Sequence, residues 1–524
     1  MKEYQDYEIG DLDIKIGENK LGKNEYDIKE LKMTMKENSH TKVELQISIK
    51  EEHKAKYDLN KFLKSETKKY TGDISYNNQI LELCFEEKRL FSGIIKKVFS
   101  REEDLGGLVI ELESLSTSEL LDRVKHYRSY QNVGSTYLEI VEEVLKKYGM
   151  DITVLTSHKN LKKETKKLII QYYETDWEFI VRIMSHIGLG VHIAEVGTII
   201  LGHVEGENRI IKWNEKLGDY SRGLDELYNI IYEVSTLSCL VCGNKLKAEN
   251  RDMGFVSSGE LKYEGGVFKG NYILKSEEHV YDYIANEEIK GSVIEGNVVE
   301  IIKNSNIAQM TVNFTKGLEK ISGKRKKQNR DVLSEGDYLG SSSQYYIMPY
   351  TTPYSQSNTG FFCTPEIKDV VAIYFPTTEE EECYAQWSVN NPGNGRFSDP
   401  NVRNYTLAEN MYHFKLDNKT FLMTTDDYIK MNVTNLYELI SKKDIKMEST
   451  DKIEAESGNL ISIKTGEDLV MSSKNSLEKV INTKTEKMNI LNGVYSTERS
   501  EKLGDYTVKA TGIINMKGKK VSIK

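Results

Sequence analysis

Apolar residues recur in pairs every eight residues between positions 421 and 471. In each pair the two residues stand at i and i+2, which is the spacing of one face of a β-strand and not of a helix. Mostly polar stretches separate the pairs, so the pattern predicts short strands joined by turns, with one apolar stripe on a common face. The seven pairs are Phe421 and Met423, Ile429 and Met431, Tyr437 and Leu439, Ile445 and Met447, Ile453 and Ala455, Ile461 and Ile463, and Leu469 and Met471.

One thin stripe does not close a core within a single chain, because a short strand buries its inner face only against neighbours. We therefore predict a homotrimer in which three chains wind together as a triangular prism and place these residues on the trimer axis. Each octad then advances the rod by roughly 14 Å, and the seven octads make it on the order of 100 Å long. A single-chain β-solenoid and a chance rhythm in a polar tail are the alternatives. After residue 471 the register weakens.

Upstream of the octads, the hydrophobic period changes twice. Alternation with period two predicts strands at residues 31–35, 43–49, 80–85 and 108–112. Helical spacing predicts helices at about 136–149 and 176–187, and Thr175 with Glu178 has the pattern of a capping box. Strands return at 230–285 and, as a small Greek-key barrel, at 290–390.

These segments predict a mainly β protein with a minor α part. The expected domains are a hub of two β-barrels with helical insertions at 1–285, a small barrel at 286–395, a connector at 396–420 and the octad spike at 421–524.

Charge and hydropathy exclude several classes of partner. The 524 residues carry a net charge of −9, so a trimer would be strongly acidic and we expect no nucleic acid. The mean hydropathy is −0.53, and we expect no membrane span. The first residues lack a basic segment followed by an apolar one, so we expect no signal peptide and synthesis in the bacterial cytoplasm. Five cysteines form an odd, sparse set that is not typical of a disulfide scaffold.

Cysteine and histidine side chains are the first candidates for chemistry. Cys239 and Cys242 lie in a stretch, 237–242, that reads as a strand and would place them on opposite faces, so we expect them to be structural. His186 and His192 have no metal-binding spacing and are expected to be packing or surface residues. We therefore predict no metal site.

Charged groups are the remaining candidates. Asp176 and Glu178 lie at a predicted helix N-terminus, where carboxylates are favoured by capping and by the helix dipole. The basic run 324–327 reads as a solvated loop tip, and the acidic run 379–382 as a second insertion in the small barrel. No nucleophile elbow, phosphate-binding loop or dinucleotide fingerprint stands in a suitable context. We expect no catalytic residue, no cofactor and no enzymatic activity.

Three segments together resemble one protein family. Gln171-Tyr-Tyr-Glu-Thr-Asp-Trp-Glu-Phe-Ile-Val-Arg182, followed by a glycine, resembles the hub segment of VgrG proteins and phage baseplate hubs. Residues 349–371 are similar to the OB-fold segment of these proteins, with Lys368 in place of the glycine before Asp369. The octads resemble the triple-stranded β-helix of the same spikes. The resemblance defines a hub motif consisting of Gln171, Tyr172, Glu174, Asp176, Trp177, Phe179 and Gly188.

The resemblance implies a trimeric hub-and-spike at the tip of a contractile injection machine, which would be a type VI secretion system, a phage tail or a related particle. Its hub would bind a tail-tube (Hcp-like) protein, and its spike would contact a target membrane transiently and puncture it. A PAAR-type tip protein would dock near Val521, Ile523 and Lys524, and effectors would be carried noncovalently.

The assembled protein would be expelled to the extracellular space or into a target cell. A phage tailspike that degrades polysaccharide and a passive adhesin shaft are the alternative functions.

Overall fold

The computed structural model describes residues 12–472 apart from 18, 58–79, 86–87, 103–106, 152–153, 157, 204–209, 214–217, 227, 249–250, 265–266, 304–306, 327–331, 339–344, 354–362, 389–402, 409–411, 417–419, 426 and 471. Within these residues the chain is mainly β, as predicted, and has three α-helices. It divides into two units, one of residues 1–407 and 413–423 and one of residues 408–412 and 424–524.

The first strands of the chain bury alternate side chains in one core. In the strand at residues 42–49, every second residue from Val43 to Ile49 is buried and the residues between them are partly exposed, which is the predicted period. All four strands predicted in this part are present. The strands are β1 (Leu12–Ile16), β2 (Asn19–Lys20), β3 (Tyr26–Met35), β4 (Lys42–Ile49), β5 (Ile80–Phe85), β6 (Lys88–Glu102) and β7 (Leu108–Ser116).

The middle of the chain contains the two predicted helices. Both begin with a capping box, Thr136 with Glu139 and Thr175 with Glu178. The first helix continues as a 3-10 turn over Lys146–Asp151, and the second ends two residues earlier than predicted. The elements are β8 (Lys125–Tyr130), α1 (Tyr137–Leu145), β9 (Val154–Leu155), β10 (Ile169–Thr175), α2 (Asp176–Ser185), β11 (Val191–Ile193) and β12 (Ile199–Leu201).

The next strands extend the sheet that the first strands began. They are β13 (Ile210–Lys212), β14 (Gly218–Leu224), β15 (Ile230–Thr236), β16 (Lys245–Ala248), β17 (Arg251–Glu264) and β18 (Val267–Lys275). Pairs from Gly259↔Met35 to Tyr263↔Leu31 join β17 to β3. The strands predicted as two barrels therefore belong, in the described part of the chain, to one 13-stranded sheet with one shared core.

The stretch 237–242 was wrongly predicted as a strand. It forms bends and a turn, because Gly243 has φ 84° and the Asn244 side chain accepts a hydrogen bond from the Val241 N–H. Cys239 and Cys242 are buried in the core of the large sheet. Burial raises the pKa of both thiols to about 12, so both cysteines are packing residues.

The small barrel follows at residues 293–388. Four of its strands pair in the order β20–β19–β22–β23. Met310 and Met348 exchange backbone hydrogen bonds, and the Ala385 N–H donates to the Pro349 carbonyl, so the segment around Met348 joins the two edges of this curled sheet. The elements are β19 (Val293–Lys303), β20 (Ala308–Asn313), α3 (Thr315–Lys326), β21 (Val332–Tyr338), β22 (Val370–Tyr374) and β23 (Tyr384–Ser388).

Three details of the barrel depart from the sequence prediction. Strand β21 pairs in parallel with β8 of the hub instead of joining the barrel sheet. Positions 324–326 of the basic run belong to the last turn of α3 and not to a loop tip, and Lys327 lies outside the described residues. Lys368, which replaces the glycine of the resembled family, has φ 77°, a left-handed conformation that favours glycine.

A three-stranded sheet follows the barrel. Its strands are β24 (Arg403–Ala408), β25 (Tyr412–Leu416) and β26 (Phe421–Thr424). The first two lie within the predicted connector at 396–420.

The octads of the second unit are extended and exposed. Within 427–470, the described residues of the single chain form no strand pairs and are all exposed. A hydroxyl caps the turn at the same place in successive octads: Ser441, Ser449, Ser457 and Thr465 each accept a hydrogen bond from the N–H two residues later. The backbone thus repeats with the predicted period of eight.

Candidate functional site

The hub motif lies where β10 runs directly into α2. Gln171, Tyr172 and Glu174 are on the strand, and Asp176, Trp177 and Phe179 are on the helix. All six residues are buried. A bulge at Tyr173, which has φ 56°, shifts the register just before Glu174; such bulges re-aim the side chains beside them.

Two aromatic residues of the motif hold α2 against its neighbours. The Trp177 indole N–H donates to the Asn38 carbonyl at 3.3 Å, and its ring lies 4.4 Å from that of His40. Phe179 stacks on Tyr130 at 5.3 Å. These contacts attach the motif helix to both β8 and the turn after β3.

Asp176 is the centre of a buried polar cluster. Its carboxylate accepts hydrogen bonds from Arg128, from Gln171 at 3.0 Å and from Tyr148 at 2.7 Å, and Lys147 Nζ lies 2.8 Å away. Burial alone would raise the pKa of Asp176, but nearby His126, Arg128 and Lys147 lower it well below its usual range. The carboxylate of Asp176 therefore fastens the start of α2 to β8 and to the 3-10 turn that follows α1.

Arg182 is the centre of a second buried cluster. Its guanidinium donates to both oxygens of Glu174 at 2.6 and 3.0 Å, to the Ile170 carbonyl at 2.8 Å and to Glu380 at 3.0 Å. The side chains of Arg182 and Glu380 are each 1% exposed. Burial raises the pKa of Glu174, and the second carboxylate at Glu380 adds to this, although Arg182 opposes it.

Glu380 comes from the small barrel, in the 3-10 turn Glu380–Glu382. The acidic insertion read from the sequence thus contributes a buried partner for the hub motif. Because Arg182 contacts β10, α2 and the barrel at once, it ties the hub to the barrel through charge-assisted hydrogen bonds.

Residues 276–286, which we call the strap, cross the end of α2 on the way from β18 to the barrel. The Tyr281 N–H donates to the Gly188 carbonyl at 3.1 Å, and the Ile284 N–H donates to Ser185 Oγ at 2.8 Å. The Asn286 amide donates to the Tyr172 carbonyl at 3.2 Å. The strap is thus tied at three points to the strand, helix and turn of the hub motif.

Glycine is required where the strap crosses. Gly188 has φ 72° and ends α2. A Cβ on Gly190 would lie 2.5 Å from the Tyr281 ring, so only glycine leaves room for this ring. Gly188 thus serves both as the helix terminus and as the acceptor for the strap.

Apolar packing completes the contact between hub and barrel. Tyr127 on β8 and Leu168, Ile170 and Tyr172 on or beside β10 share a core with Ile294, Met310, Phe314 and Phe375 of the barrel. We call this core, the Arg182 cluster and the strap the joint. Its chemistry is structural, since its polar groups bind one another.

Other predicted sites lie elsewhere. The axial residues from Phe421 to Leu469 are exposed in the single chain, and Met471, Val521, Ile523 and Lys524 lie outside the described residues. No helix among the residues that the structure describes is long and apolar enough to cross a membrane. In the same residues, no group of three or more His, Cys, Asp or Glu side chains is placed to hold a metal ion.

Residues 73–207 match the family of the phage tail baseplate hub (GPD). This span includes β8, β10 and α2, and therefore Asp176 and Arg182 with their hub-side partners. None of the curated proteins matches the chain.

Several solved structures are similar to this chain at low identity. A type VI secretion component of E. coli, described as structurally similar to T4 bacteriophage tail proteins gp27 and gp5, is 13% identical with a TM-score of 0.46, over 71% of this chain and 98% of that one. A Francisella PdpA–VgrG complex is 10% identical with a TM-score of 0.46, over 78% and 76%. A prophage MuSo2 tail protein of Shewanella oneidensis is 10% identical with a TM-score of 0.39, over 52% and 100%.

Proposed function

We propose that this chain is a VgrG-like and phage-baseplate-hub-like protein, and that it forms the hub-and-spike subunit at the tip of a contractile injection machine. The match of residues 73–207 to the baseplate hub family carries the hub role. It covers the hub motif on which the predicted resemblance was based.

The octads support a homotrimer with an intertwined spike. Ile429, Ile445, Ile453 and Ile461 are between 49% and 56% exposed in the single chain, and an apolar stripe of this length is normally covered by a partner. With two side chains from each of three chains, one octad layer would bury six, worth of order 10 kcal/mol before entropy is subtracted. The partner that fits every octad in the same register is another copy of this chain.

The joint would give the hub a rigid connection to the barrel. In the proposed assembly, a force applied to the hub would reach the spike only through the barrel. A flexible link between hub and barrel would absorb part of that movement. In this chain, an apolar core and a fully buried Arg182–Glu380 pair hold the two parts together. Breaking a buried pair of this kind costs about 3–5 kcal/mol.

The expected partners follow from the proposed position of this chain at the tip of an injection machine. The hub would bind a tail-tube (Hcp-like) protein, the spike would pierce an envelope during contraction, and a PAAR-type protein with noncovalent effectors would occupy the distal end.

Absolute mass by light scattering tests the proposal, on the full chain and on a shortened chain ending near residue 395. We expect about 180 kDa for the full chain, three times its 60.1 kDa, and a loss or weakening of the trimer on shortening. A stable 60.1 kDa full-length monomer would contradict the intertwined spike.

Two further assays separate the alternative functions. Turnover of cell-wall or capsular glycans by the purified trimer would favour a tailspike enzyme, and failure of the hub to bind tail-tube protein would favour an adhesin shaft.

A further inference from the structure

Histidines are concentrated along the strap. Five of the nine histidines of the chain, His158, His186, His192, His203 and His279, lie on the strap or on the elements packed beneath it. Three of them, His192, His203 and His279, line a small cleft of about 30 Å³ together with the strap residue Tyr281. The strap therefore covers a group of imidazoles.

Two of these rings hold the strap as neutral imidazoles. His192 Nδ1–H donates to the Ser257 carbonyl at 3.2 Å, and its Nε2 lies 3.1 Å from the Tyr281 hydroxyl. His186 stacks on Tyr283 with ring centroids 4.7 Å apart, and its Nε2–H donates to the Ile284 carbonyl at 3.3 Å. Both histidines contact strap residues directly.

The surroundings of His186 oppose its protonation. Burial, followed by the positive charges of Arg182 and Lys167, lowers the pKa of His186 to about 2. Tyr283, on which it stacks, donates its hydroxyl to Glu379 at 2.8 Å. His186 Nδ1 is buried and has no hydrogen-bond partner among the described residues.

Burial likewise keeps His192 neutral. It lowers the pKa of His192 to about 4, although Glu37 favours the charged form, and Lys275 and His279 oppose it. Glu37 is itself paired with Lys275 at 2.7 Å. The charge on this partly exposed carboxylate is therefore already neutralised by a lysine.

The pKa values of His279 and His158 are also lowered. Burial lowers the pKa of His279, aided by Lys275 and opposed by Asp225, Glu37 and Asp282. It also lowers the pKa of His158, aided by His203, Lys159 and Lys163 and opposed by Glu277. Glu277 pairs with Lys245. Glu174 contacts the strap through Asn286. Its pKa is raised in the closed state, so its protonation at low pH would favour the closed strap and oppose the effect of the histidines.

We propose that the strap is an acid-sensitive latch, which lifts from the hub as the pH falls and exposes the histidines that it covers. The proposal rests on the role proposed above for the joint, and it concerns the regulation of that joint. When the strap is down, the imidazoles stay neutral and form its contacts; when it lifts, they enter water and bind protons.

The direction and size of the effect follow from linkage. An exposed histidine has a pKa of about 6.5, whereas His186 and His192 in the closed state have pKa values of about 2 and about 4. The closed strap thus keeps its full stability above pH 6.5 and loses it as the pH falls. At pH 5, each exposed histidine favours the open strap by about 30-fold, and two together by about 1,000-fold.

Hydrogen exchange on the full-length protein tests the latch at pH 7.5, 6 and 5, after correction for the intrinsic pH dependence of exchange. The peptide that contains the strap amides of Tyr281 and Ile284 is compared with one from β4 in the core. We expect the opening constant of the strap to rise about 1,000-fold between pH 7.5 and pH 5 while β4 stays protected. Equal protection of the strap at both pH values would overturn the latch.

Variants identify the responsible rings. His186→Gln and His192→Gln should each remove about 30-fold of this pH dependence, whatever they do to stability at pH 7.5. The control His53→Gln changes a histidine beside Glu25 and Glu52 and should leave the pH dependence unchanged.

The same data separate the latch from the joint. A strap that already exchanges freely at pH 7.5 would contradict the joint itself. Protection of the strap amides at pH 7.5 that persists at pH 5 would overturn the latch and leave the joint supported. Loss of protection in the strap and β4 together would show general acid unfolding, and would also overturn it.

Discussion

The joint and the octads differ in how far their side chains are buried within a single chain. In the joint, Arg182 and Glu380 are 198 positions apart in the same chain, and each side chain is 1% exposed. In the octads, Ile453 is 55% exposed and Ile463 is 71% exposed. The joint is complete within one chain, whereas the octads would be covered only by partner chains in the trimer proposed above. Damage to the joint should therefore be independent of protein concentration, and damage to the octads should depend on it.

The largest effect is expected from charges on the octad axis. Replacing Ile445, Ile453 and Ile461 together by Asp would place three carboxylates in each of three axial layers of a trimer, and unpaired buried charges cost several kcal/mol each. We expect the mass in light scattering to fall from about 180 kDa toward the 60.1 kDa of one chain.

A matched control changes the residue that lies between the two apolar members of each pair. In the predicted register Lys446, Glu454 and Ser462 would point away from the stripe, so their combined replacement by Asp should leave the trimer intact. Equal disruption by both sets would mean that the predicted register is wrong.

The second largest effect is expected from a substitution that breaks the joint. Arg182→Met leaves Glu174 and Glu380 buried without their guanidinium, which should lower the free energy of unfolding by about 3–5 kcal/mol. Urea unfolding at two protein concentrations measures this loss and its independence of concentration. Arg101→Met is the control, because Arg101 is 62% exposed beside Glu111; its effect should stay below about 1 kcal/mol.

A smaller effect is expected where the strap crosses the hub. Gly190→Ala would push a methyl group against the Tyr281 ring, and such overpacking costs about 1–3 kcal/mol. Gly223→Ala is the control, since the nearest atom to its Cβ would be 3.9 Å away. Thermal unfolding that shifts equally for both variants would argue against a tight crossing.

A pH-dependent effect distinguishes the two carboxylates on Arg182. Burial and Glu380 raise the pKa of Glu174, so the contribution of Glu174 to stability is present below pH 4.5 and is lost as the pH rises through the folded-state pKa. In Glu380→Gln this loss should shrink. Urea unfolding at pH 4.5, 6 and 7.5 measures it, and Glu381→Gln, at an exposed neighbour, should retain the pH dependence of the unmodified protein.

The smallest effect concerns an octad turn. Ser449 Oγ accepts hydrogen bonds from the N–H groups of Asp451 and Lys452 at 3.3 and 3.1 Å. Ser449→Ala should therefore weaken the spike by about 0.5–1 kcal/mol per chain. Thr450→Ala, one position later, is the control, and the melting temperature of the trimer is the measurement.

Local signals predicted the local structure. The period of eight, the strands of the first sheet and the capping box at Thr175 and Glu178 depend on residues a few positions apart. The hub motif was found through its resemblance to a family, and the match of residues 73–207 to the baseplate hub confirms that resemblance. The helix of the motif was predicted from the same local spacing, whereas strand β10 was not predicted.

Contacts between residues far apart in the chain were not predicted from the sequence. The run of acidic residues at 379–382 reads as an insertion in the small barrel, and only the fold shows that Glu380 contacts a buried arginine. The contact of β17 with β3 merges two predicted barrels into one sheet across more than 200 positions. The turn at Gly243 and Asn244 was a missed local signal, because Asn and Gly in succession favour turns.

The parallel pairing of β21 with β8 sets the order in which a newly made chain is completed. Lys125 pairs with Val332 and Tyr130 with Tyr338, so β8 keeps one open edge until residue 338 of 524 has left the ribosome. An open strand edge is a surface for incorrect pairing. The octads are synthesised only after this edge can close, and each hub can therefore finish folding within its own chain before the segment that would entwine it with other chains in the proposed trimer exists.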